Sequence, residues 1–166
     1  MRTKAVAFML LILSLCFSLF SCAPREHVYC EIGITLPASY RKIDASDDFD
    51  LAFKSGSKVI GIRRFSFEAV LEDGILTTHT PMKFAEIYRD RLEGISASPM
   101  RESGDIPYFT YTITTAGGAY VYMPTFYRTP YAYIMVMLVS ENRLNEGGCV
   151  EFLEICGTLR ILPEYV

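Results

Sequence analysis

The stretch YAYIMVMLV, at residues 131–139, has no charged and no strongly polar side chain at any position. Tyr, Ile and Val are residue types that β-strands prefer. A strand with one face in water alternates apolar and polar residues, whereas a strand covered on both faces is apolar throughout. We therefore predict that residues 131–139 form a central strand of a sheet that is covered on both faces.

Two further strands are predicted immediately before this one, at about residues 107–115 and 119–127, where Tyr, Thr, Val and Ile are again frequent. Glycines at 117–118 mark the turn between these two strands, and residues 128–130 (Arg-Thr-Pro) mark the next turn. Strands joined by such short turns pair antiparallel. The third strand extends to about residue 140, so the three form a meander.

Helices are predicted on either side of this meander. The first covers residues 81–93, with Thr80 as its N-cap, Pro81 at its first position and Gly94 just beyond its end. The second, at about residues 148–160, places four apolar side chains on one stripe: Cys149, Phe152, Leu153 and Cys156.

The N-terminal half adds strands at residues 32–36, 51–53 and 59–67, a short strand or turn arm at 40–43, and a possible helical turn at 68–76. The element order is thus strands, helix, meander, helix. This order predicts an α+β fold in which helices cover an antiparallel sheet.

Three segments resemble the PsbP-type domain, which occurs in photosystem extrinsic subunits, DcrB-like periplasmic lipoproteins and a Ran-binding nuclear protein. They are Ile-Thr-Leu-Pro at 34–37, Thr-Pro-Met-Lys-Phe-Ala-Glu-Ile-Tyr at 80–88, and the ending at 131–138 and 152–159. The resemblance covers about residues 31–161 and implies an α-β-α sandwich. It also implies a binding or assembly role, because members act mostly as binding or assembly factors and share no catalytic residues.

The first 22 residues have the pattern of a secretory signal. Arg2 and Lys4 precede an uncharged run at residues 5–20, and the segment ends in Leu-Phe-Ser-Cys at 19–22. This ending resembles the bacterial lipobox, which implies cleavage before Cys22 and a diacylglycerol thioether on that residue. The predicted location is extracytoplasmic, on a membrane of a bacterial cell envelope.

Two alternatives remain for this segment. Plain secretion would require cleavage after Ala23, which would place Pro24 at a new N-terminus poorly suited to an extended substrate groove. An uncleaved membrane-spanning helix would need ~20 apolar residues, and the uncharged run at residues 5–20 is shorter than that. We predict a lipoprotein signal at residues 1–21, a short lipidated tether at 22–30 and a single domain at 31–166.

The charge of the mature chain excludes one class of partner. Without residues 1–21 the chain keeps 14 of 16 basic and all 19 acidic residues, a net charge of −5. The sequence has no basic cluster, and nucleic-acid binding depends on neutralising phosphates, so no nucleic-acid partner is expected. The expected partners are the membrane, through lipid on Cys22, and an unknown envelope protein or small ligand.

Three cysteines remain after the signal and the lipidated residue: Cys30, Cys149 and Cys156. Seven residues on a continuous helix separate the last two by ~10.5 Å along the axis, which exceeds the ~7 Å that a disulfide allows. Either Cys30 pairs with one of them, or all three are reduced. We favour the reduced state.

No catalytic, metal or cofactor site is predicted. His27 and His79 stand alone, no Cys-x-x-Cys pair occurs, and the acidic loop at residues 44–50 lacks the Asp-x-Asp-x-Asp-Gly spacing of a calcium loop. Nucleophilic catalysis requires a base beside Ser, Cys or Thr, and only His79 is placed to serve. We therefore do not expect an enzyme.

A group of tyrosines on neighbouring predicted strands is the candidate surface for a ligand or partner: Tyr108, Tyr120, Tyr122, Tyr131 and Tyr133. Tyr is enriched at interfaces, yet the same residues can pack beneath the helices with their hydroxyls at the rim. The predicted function is a membrane-anchored, non-catalytic binding or assembly module. The alternative is a carrier that holds a small apolar or lipidic ligand between sheet and helix.

Overall fold

A computed structural model describes residues 23–141 and 144–166. The predicted signal peptide and Cys22 lie outside the described residues. Strand β10 (Ala132–Glu141) lies inside the main sheet, between β5 (Lys58–Ser66) and β9 (Gly118–Arg128), and pairs antiparallel with both. The central strand predicted from residues 131–139 is therefore confirmed.

The other elements complete two antiparallel sheets. The remaining strands are β1 (Arg25–Tyr29), β2 (Ile32–Leu36), β3 (Arg41–Ile43), β4 (Leu51–Ser55), β6 (Arg101–Ser103), β7 (Ile106–Tyr108), β8 (Tyr111–Thr115) and β11 (Arg160–Ile161). The helices are α1 (Phe67–Glu72), α2 (Pro81–Asp90) and α3 (Glu146–Cys156), followed by a 3-10 turn at Pro163–Tyr165. The main sheet has the order β3-β4-β5-β10-β9-β7-β6, with β8 also on β9, and the small sheet has the order β1-β2-β11.

Side chains of β10 alternate between two hydrophobic cores. Ile134, Val136 and Leu138 belong to the core that also contains apolar residues of α3 and β2. Tyr133, Met135 and Met137 belong to the core formed with α1 and α2. This is the predicted α+β class, an antiparallel sheet covered by helices, and the small sheet adds to the cover on the α3 side.

Helix α2 begins as its sequence predicts. The Thr80 hydroxyl accepts a hydrogen bond from the Lys83 amide at 3.2 Å, and Pro81 occupies the first turn. Its buried face presents Phe84, whose ring stacks on Tyr133 at a centroid distance of 4.1 Å. The helix ends at Asp90, three residues before the predicted end at 93, and Gly94 lies in the turn that follows with φ +71°.

Several predicted boundaries are corrected. Part of the predicted tether, residues 22–30, is strand β1, which pairs along its whole length with β2 through a two-residue turn. Exposed edge strands lack the apolar alternation on which the prediction relied. Strand β6 lies between the predicted helix and the predicted strand at 107–115, where no strand was predicted. The predicted strand at 107–115 divides into β7 and β8, because the chain turns at Phe109–Thr110 and Thr110 bonds with Ser98. The last helix begins at Glu146 and ends at Cys156, after which the chain enters β11.

An ion pair joins the small sheet to the main sheet. Glu31, in the β1–β2 turn, is 2% exposed, and Arg64 of β5 donates from Nε to both of its carboxylate oxygens at 2.9 and 3.1 Å. The Thr129 hydroxyl donates to the same carboxylate at 2.9 Å. Burial alone would raise the pKa of Glu31, but these hydrogen bonds outweigh burial and hold that pKa below its ordinary value.

The position of β10 predicts the effect of placing a charge on either of its faces. Met135 and Val136 are at most 2% exposed and point into different cores. Met135→Asp and Val136→Asp should each lower the free energy of unfolding by roughly 3 kcal/mol or more, because each removes a carboxylate from water into a hydrophobic core. Thr112→Asp, on an exposed position of β8, is the matched control and should change stability little. Thermal unfolding measures all three, and an unchanged melting temperature for either core variant would contradict this strand placement.

Candidate functional site

The N-terminal half of α3 forms one wall of a cleft. Asn145 caps this helix, because its side-chain oxygen accepts a hydrogen bond from the Gly148 amide at 2.8 Å. Further along, Phe152, Ile155 and Cys156 are buried in the core. A second face carries residues spaced i, i+3, i+4 and i+7, which are neighbours on a helix surface: Glu146, Cys149, Val150 and Leu153.

The cleft between this helix face and the main sheet has a volume of about 510 Å³. Clefts of this order hold small-molecule ligands in other proteins. Apolar and polar side chains both line it: Ser98, Arg101, Tyr108, Thr110, Val121, Leu144, Glu146, Cys149, Val150 and Leu153.

Strand pairing explains why the opposite wall carries a cation beside a tyrosine. Arg101 of β6 is the direct partner of Tyr108 of β7, which in turn pairs with Thr125 of β9. Direct partners in antiparallel strands project to the same face of a sheet. The Thr125 hydroxyl lies 3.4 Å from the Cys156 sulfur, so this face is the one that α3 covers.

The polar groups in the cleft differ in whether they already form hydrogen bonds within the described part of the chain. The Ser98 hydroxyl is occupied, since it accepts from the Thr110 amide at 2.9 Å and donates to the Pro99 carbonyl. Within the described residues, the Arg101 guanidinium and the Tyr108 hydroxyl make no hydrogen bond to another side chain or to the backbone, and neither does the Glu146 carboxylate. The cleft thus offers a cation, a hydroxyl and a carboxylate beside an apolar lining.

The charged side chains of the cleft affect the pKa of the Cys149 thiol. Burial raises the pKa of its half-buried thiol; the nearby charge of Arg101 lowers that pKa and the charge of Glu146 raises it. Both charged side chains therefore act on the same sulfur atom. Cys156, deeper on the same helix, is fully buried, and burial raises the pKa of its thiol to about 12.

The five predicted tyrosines do not share one surface. Tyr108 lines the cleft, whereas Tyr122 lies on the other face of β9, stacked on Tyr111 with ring centroids 4.9 Å apart. Tyr120, two residues from Tyr122, projects to that same face.

The remaining two tyrosines have opposite environments. Tyr133 is fully buried, and its hydroxyl donates to the backbone carbonyls of His79 and Leu76 at 2.8 and 3.1 Å. Tyr131, just before the strand begins, is 53% exposed and contacts Tyr165. The alternative in which tyrosines pack beneath the helices thus describes Tyr133.

A smaller pocket, of about 160 Å³, lies on the α2 side of the sheet. Tyr88, Tyr111 and Tyr122 line it, and Arg63 at its edge donates to the Asp48 carbonyl at 3.4 Å. Asp50, in the predicted acidic loop, accepts a hydrogen bond from the Arg64 amide at 2.7 Å, which gives this carboxylate a structural role.

Residues 23–141 and 144–166 contain neither a metal-binding cluster nor a membrane-spanning helix. No group of three or more His, Cys, Asp or Glu side chains is arranged to hold a metal ion there. No helix there has the length and apolar character needed to cross a membrane.

Comparison with known proteins identifies the fold. No family model matches the chain, and no curated protein sequence matches it. A crystal structure from Bacteroides thetaiotaomicron VPI-5482 is similar, with a TM-score of 0.58 and 11% identity over 84% of this chain and 49% of that chain. The solution structure of cyanobacterial PsbP (CyanoP) from Synechocystis sp. PCC 6803 is similar with a TM-score of 0.50 and 13% identity, over 85% and 94% of the two chains.

The chain spans about half the length of the Bacteroides protein. At these identities the likeness concerns the fold alone, and it supports the resemblance inferred from the sequence. The chain has a PsbP-like α+β fold.

The three cysteines should differ in reactivity. The structure leaves all three thiols free, with Cys30 exposed, Cys149 half-buried and Cys156 buried. Iodoacetamide should modify the native protein in that order. The rate at Cys149 should increase with pH through and above neutrality, because its raised pKa keeps the thiolate fraction small at neutral pH. Peptide mapping by mass spectrometry measures each rate, and the denatured chain without reductant serves as the control, with three reactive thiols. A peptide joining Cys149 to Cys156 would contradict the helix itself.

Proposed function

We propose that this chain is a non-catalytic binding module, attached to the outer face of a bacterial membrane by lipid on Cys22, whose ligand site is the cleft between α3 and the main sheet. The observation that carries the proposal is the cleft of about 510 Å³, with an apolar lining and a few polar groups. Ligand sites in other proteins have this combination. The PsbP-type resemblance favours the same class, since its members act mostly in binding and assembly.

The position of the cleft favours a small ligand over a protein partner. A stable protein–protein interface buries about 800 Å² on each partner over a broad surface, whereas this site is a concave space between one helix and one sheet. That is the location expected of a carrier. We therefore propose a small molecule as the ligand, with an envelope protein as the alternative that the binding experiment tests.

The membrane attachment is supported by the sequence at residues 19–22 and by the first strand. Strand β1 begins at Arg25, three residues after Cys22. A lipid on Cys22 would therefore hold the folded domain close to the bilayer. Stable anchoring requires two or more acyl chains, which a diacylglycerol group supplies.

Replacing the proposed lipid site tests the anchoring. Cys22→Ala should block processing of the precursor by the lipoprotein signal peptidase, because the lipidated cysteine is the residue at which that enzyme cleaves. Cys16→Ala, inside the apolar run, is the matched control and should be processed normally. Processing is read from the mass of the product, and attachment from detergent phase separation. A Cys22→Ala chain that is cleaved and partitions like the wild type would contradict the proposal.

Native mass spectrometry tests the cleft. The mature chain, residues 22–166 with Cys22→Ser, exported into a bacterial envelope behind a plain secretory signal and purified from there, should carry a bound small molecule. Val150→Trp should abolish this bound mass, because Val150 lines the cleft and is 50% exposed, so that a larger side chain can fill the space without disturbing the core. Leu76→Trp, at a residue 56% exposed and not part of the cleft lining, is the matched control and should retain the mass.

Two outcomes of that experiment would count against a small ligand. A wild-type protein with only its sequence mass would favour the protein-partner alternative. A bound mass that persists in Val150→Trp would place the ligand elsewhere.

A further inference from the structure

We infer that the cleft binds a small zwitterion, a molecule with an ammonium group and an anionic oxygen group on an apolar body. This inference rests on the proposed function of the cleft as a ligand site and names the chemical class of its ligand.

The first step is the presence of two opposite charges without partners. Arg101 on the sheet wall and Glu146 on the helix wall both line the cleft, and within the described residues neither forms an ion pair. Their neighbours behave differently. Glu151, on the same helix as Glu146, pairs with Lys58 of β5. The two charges of the cleft are therefore free to meet charges on a ligand.

The second step is that both charged side chains influence the same group, the Cys149 thiol. Arg101 and Glu146 shift the pKa of the Cys149 thiol in opposite directions, so each is close enough to influence the same sulfur atom. Cys149 lies three residues after Glu146, on the same face of α3. A ligand seated beside this thiol would be near the guanidinium on the sheet wall and the carboxylate on the helix wall.

The third step is the apolar remainder of the lining. Val121 forms part of the sheet side, and Leu144, Val150 and Leu153 line the helix side. These side chains favour a ligand with an apolar body, since burying apolar surface stabilises a complex by ~25 cal/mol per Å².

The charges then select among apolar ligands. A neutral apolar molecule would desolvate Arg101 and Glu146 without compensation. A simple anion would face the Glu146 carboxylate, and a simple cation would face the Arg101 guanidinium. A zwitterion gives each charge an opposite partner, and a site built for paired charges rejects a ligand that lacks one of them.

Two sources could supply this chemistry: a short apolar peptide with free termini, or a lysophospholipid with an ethanolamine head. The probe for the first is L-leucyl-L-leucine, compared with its N-acetyl form and its C-terminal amide. The probe for the second is lysophosphatidylethanolamine below its critical micelle concentration, compared with lysophosphatidylglycerol, which has the anion but no ammonium group.

Binding is measured by amide chemical-shift titration of the mature chain, residues 22–166 with Cys22→Ser. Either L-leucyl-L-leucine or lysophosphatidylethanolamine, or both, should bind about tenfold more tightly than its own comparison compound that lacks one of the two charges. If the dipeptide is the ligand, Arg101→Gln should remove the preference over the amide, and Glu146→Gln the preference over the acetylated form. For the lipid, Glu146→Gln should remove the preference for the ethanolamine head. Glu151→Gln, on the same helix but paired with Lys58, is the matched control and should leave every preference unchanged.

Failure of this inference is distinguishable from failure of the proposed function. Equal binding of zwitterionic and singly charged probes would overturn the zwitterion and leave the cleft as a ligand site. Absence of binding by both zwitterionic probes would also overturn it, and native mass spectrometry would still decide whether the cleft holds another molecule.

Discussion

The main constraint on this structure is that β10 carries apolar side chains on both faces, so both faces of the main sheet must be covered. Helices α1 and α2 cover one face, and α3 with the small sheet covers the other. The β1–β2 hairpin could not perform this role detached, because an isolated two-stranded hairpin is at best marginally stable in water. The pairing of Glu31 with Arg64, supported by Thr129, attaches it to the main sheet at a defined position.

The cleft lies where this cover is incomplete. The C-terminal half of α3 inserts Phe152, Ile155 and Cys156 into the core, whereas Cys149 and Val150 in its N-terminal half remain partly exposed. On the opposite side, β7 and β6 end the strand order of the main sheet, and Tyr108 and Arg101 of these strands line the cleft. The cleft therefore lies beside the less buried N-terminal half of α3, at the β6–β7 end of the sheet. The location of the candidate site thus follows from how the hydrophobic core is filled.

The sequence predicted those features that depend on local patterns. The apolar run at residues 131–139, the capped start of α2 at Thr80 and the order of elements were sufficient for the fold class. Strands β1 and β6 were not predictable, because five and three mostly exposed residues at a sheet edge show no periodicity. The cleft was not predictable either, since only the strand register places Arg101 beside Tyr108 and across from α3. The sequence pattern also could not distinguish Tyr131 from Tyr133. They are two positions apart at the start of β10, yet Tyr131 is exposed and Tyr133 is buried.

Two arrangements of opposite charges, Glu31 with Arg64 and Arg101 with Glu146, have different physical consequences. Glu31 is buried, and removal of Arg64 would leave its carboxylate without compensation, so that pair is suited to holding two sheets in fixed register. Arg101 and Glu146 are exposed and form no ion pair among the described residues, and because water solvates both charges, this costs little free energy. A ligand that excludes this water makes each charge more expensive if it is unmatched and more favourable if it is matched. At the proposed ligand site, Arg101 and Glu146 would therefore contribute to selectivity only once a ligand is bound, whereas the Glu31–Arg64 pair contributes to stability in the free protein.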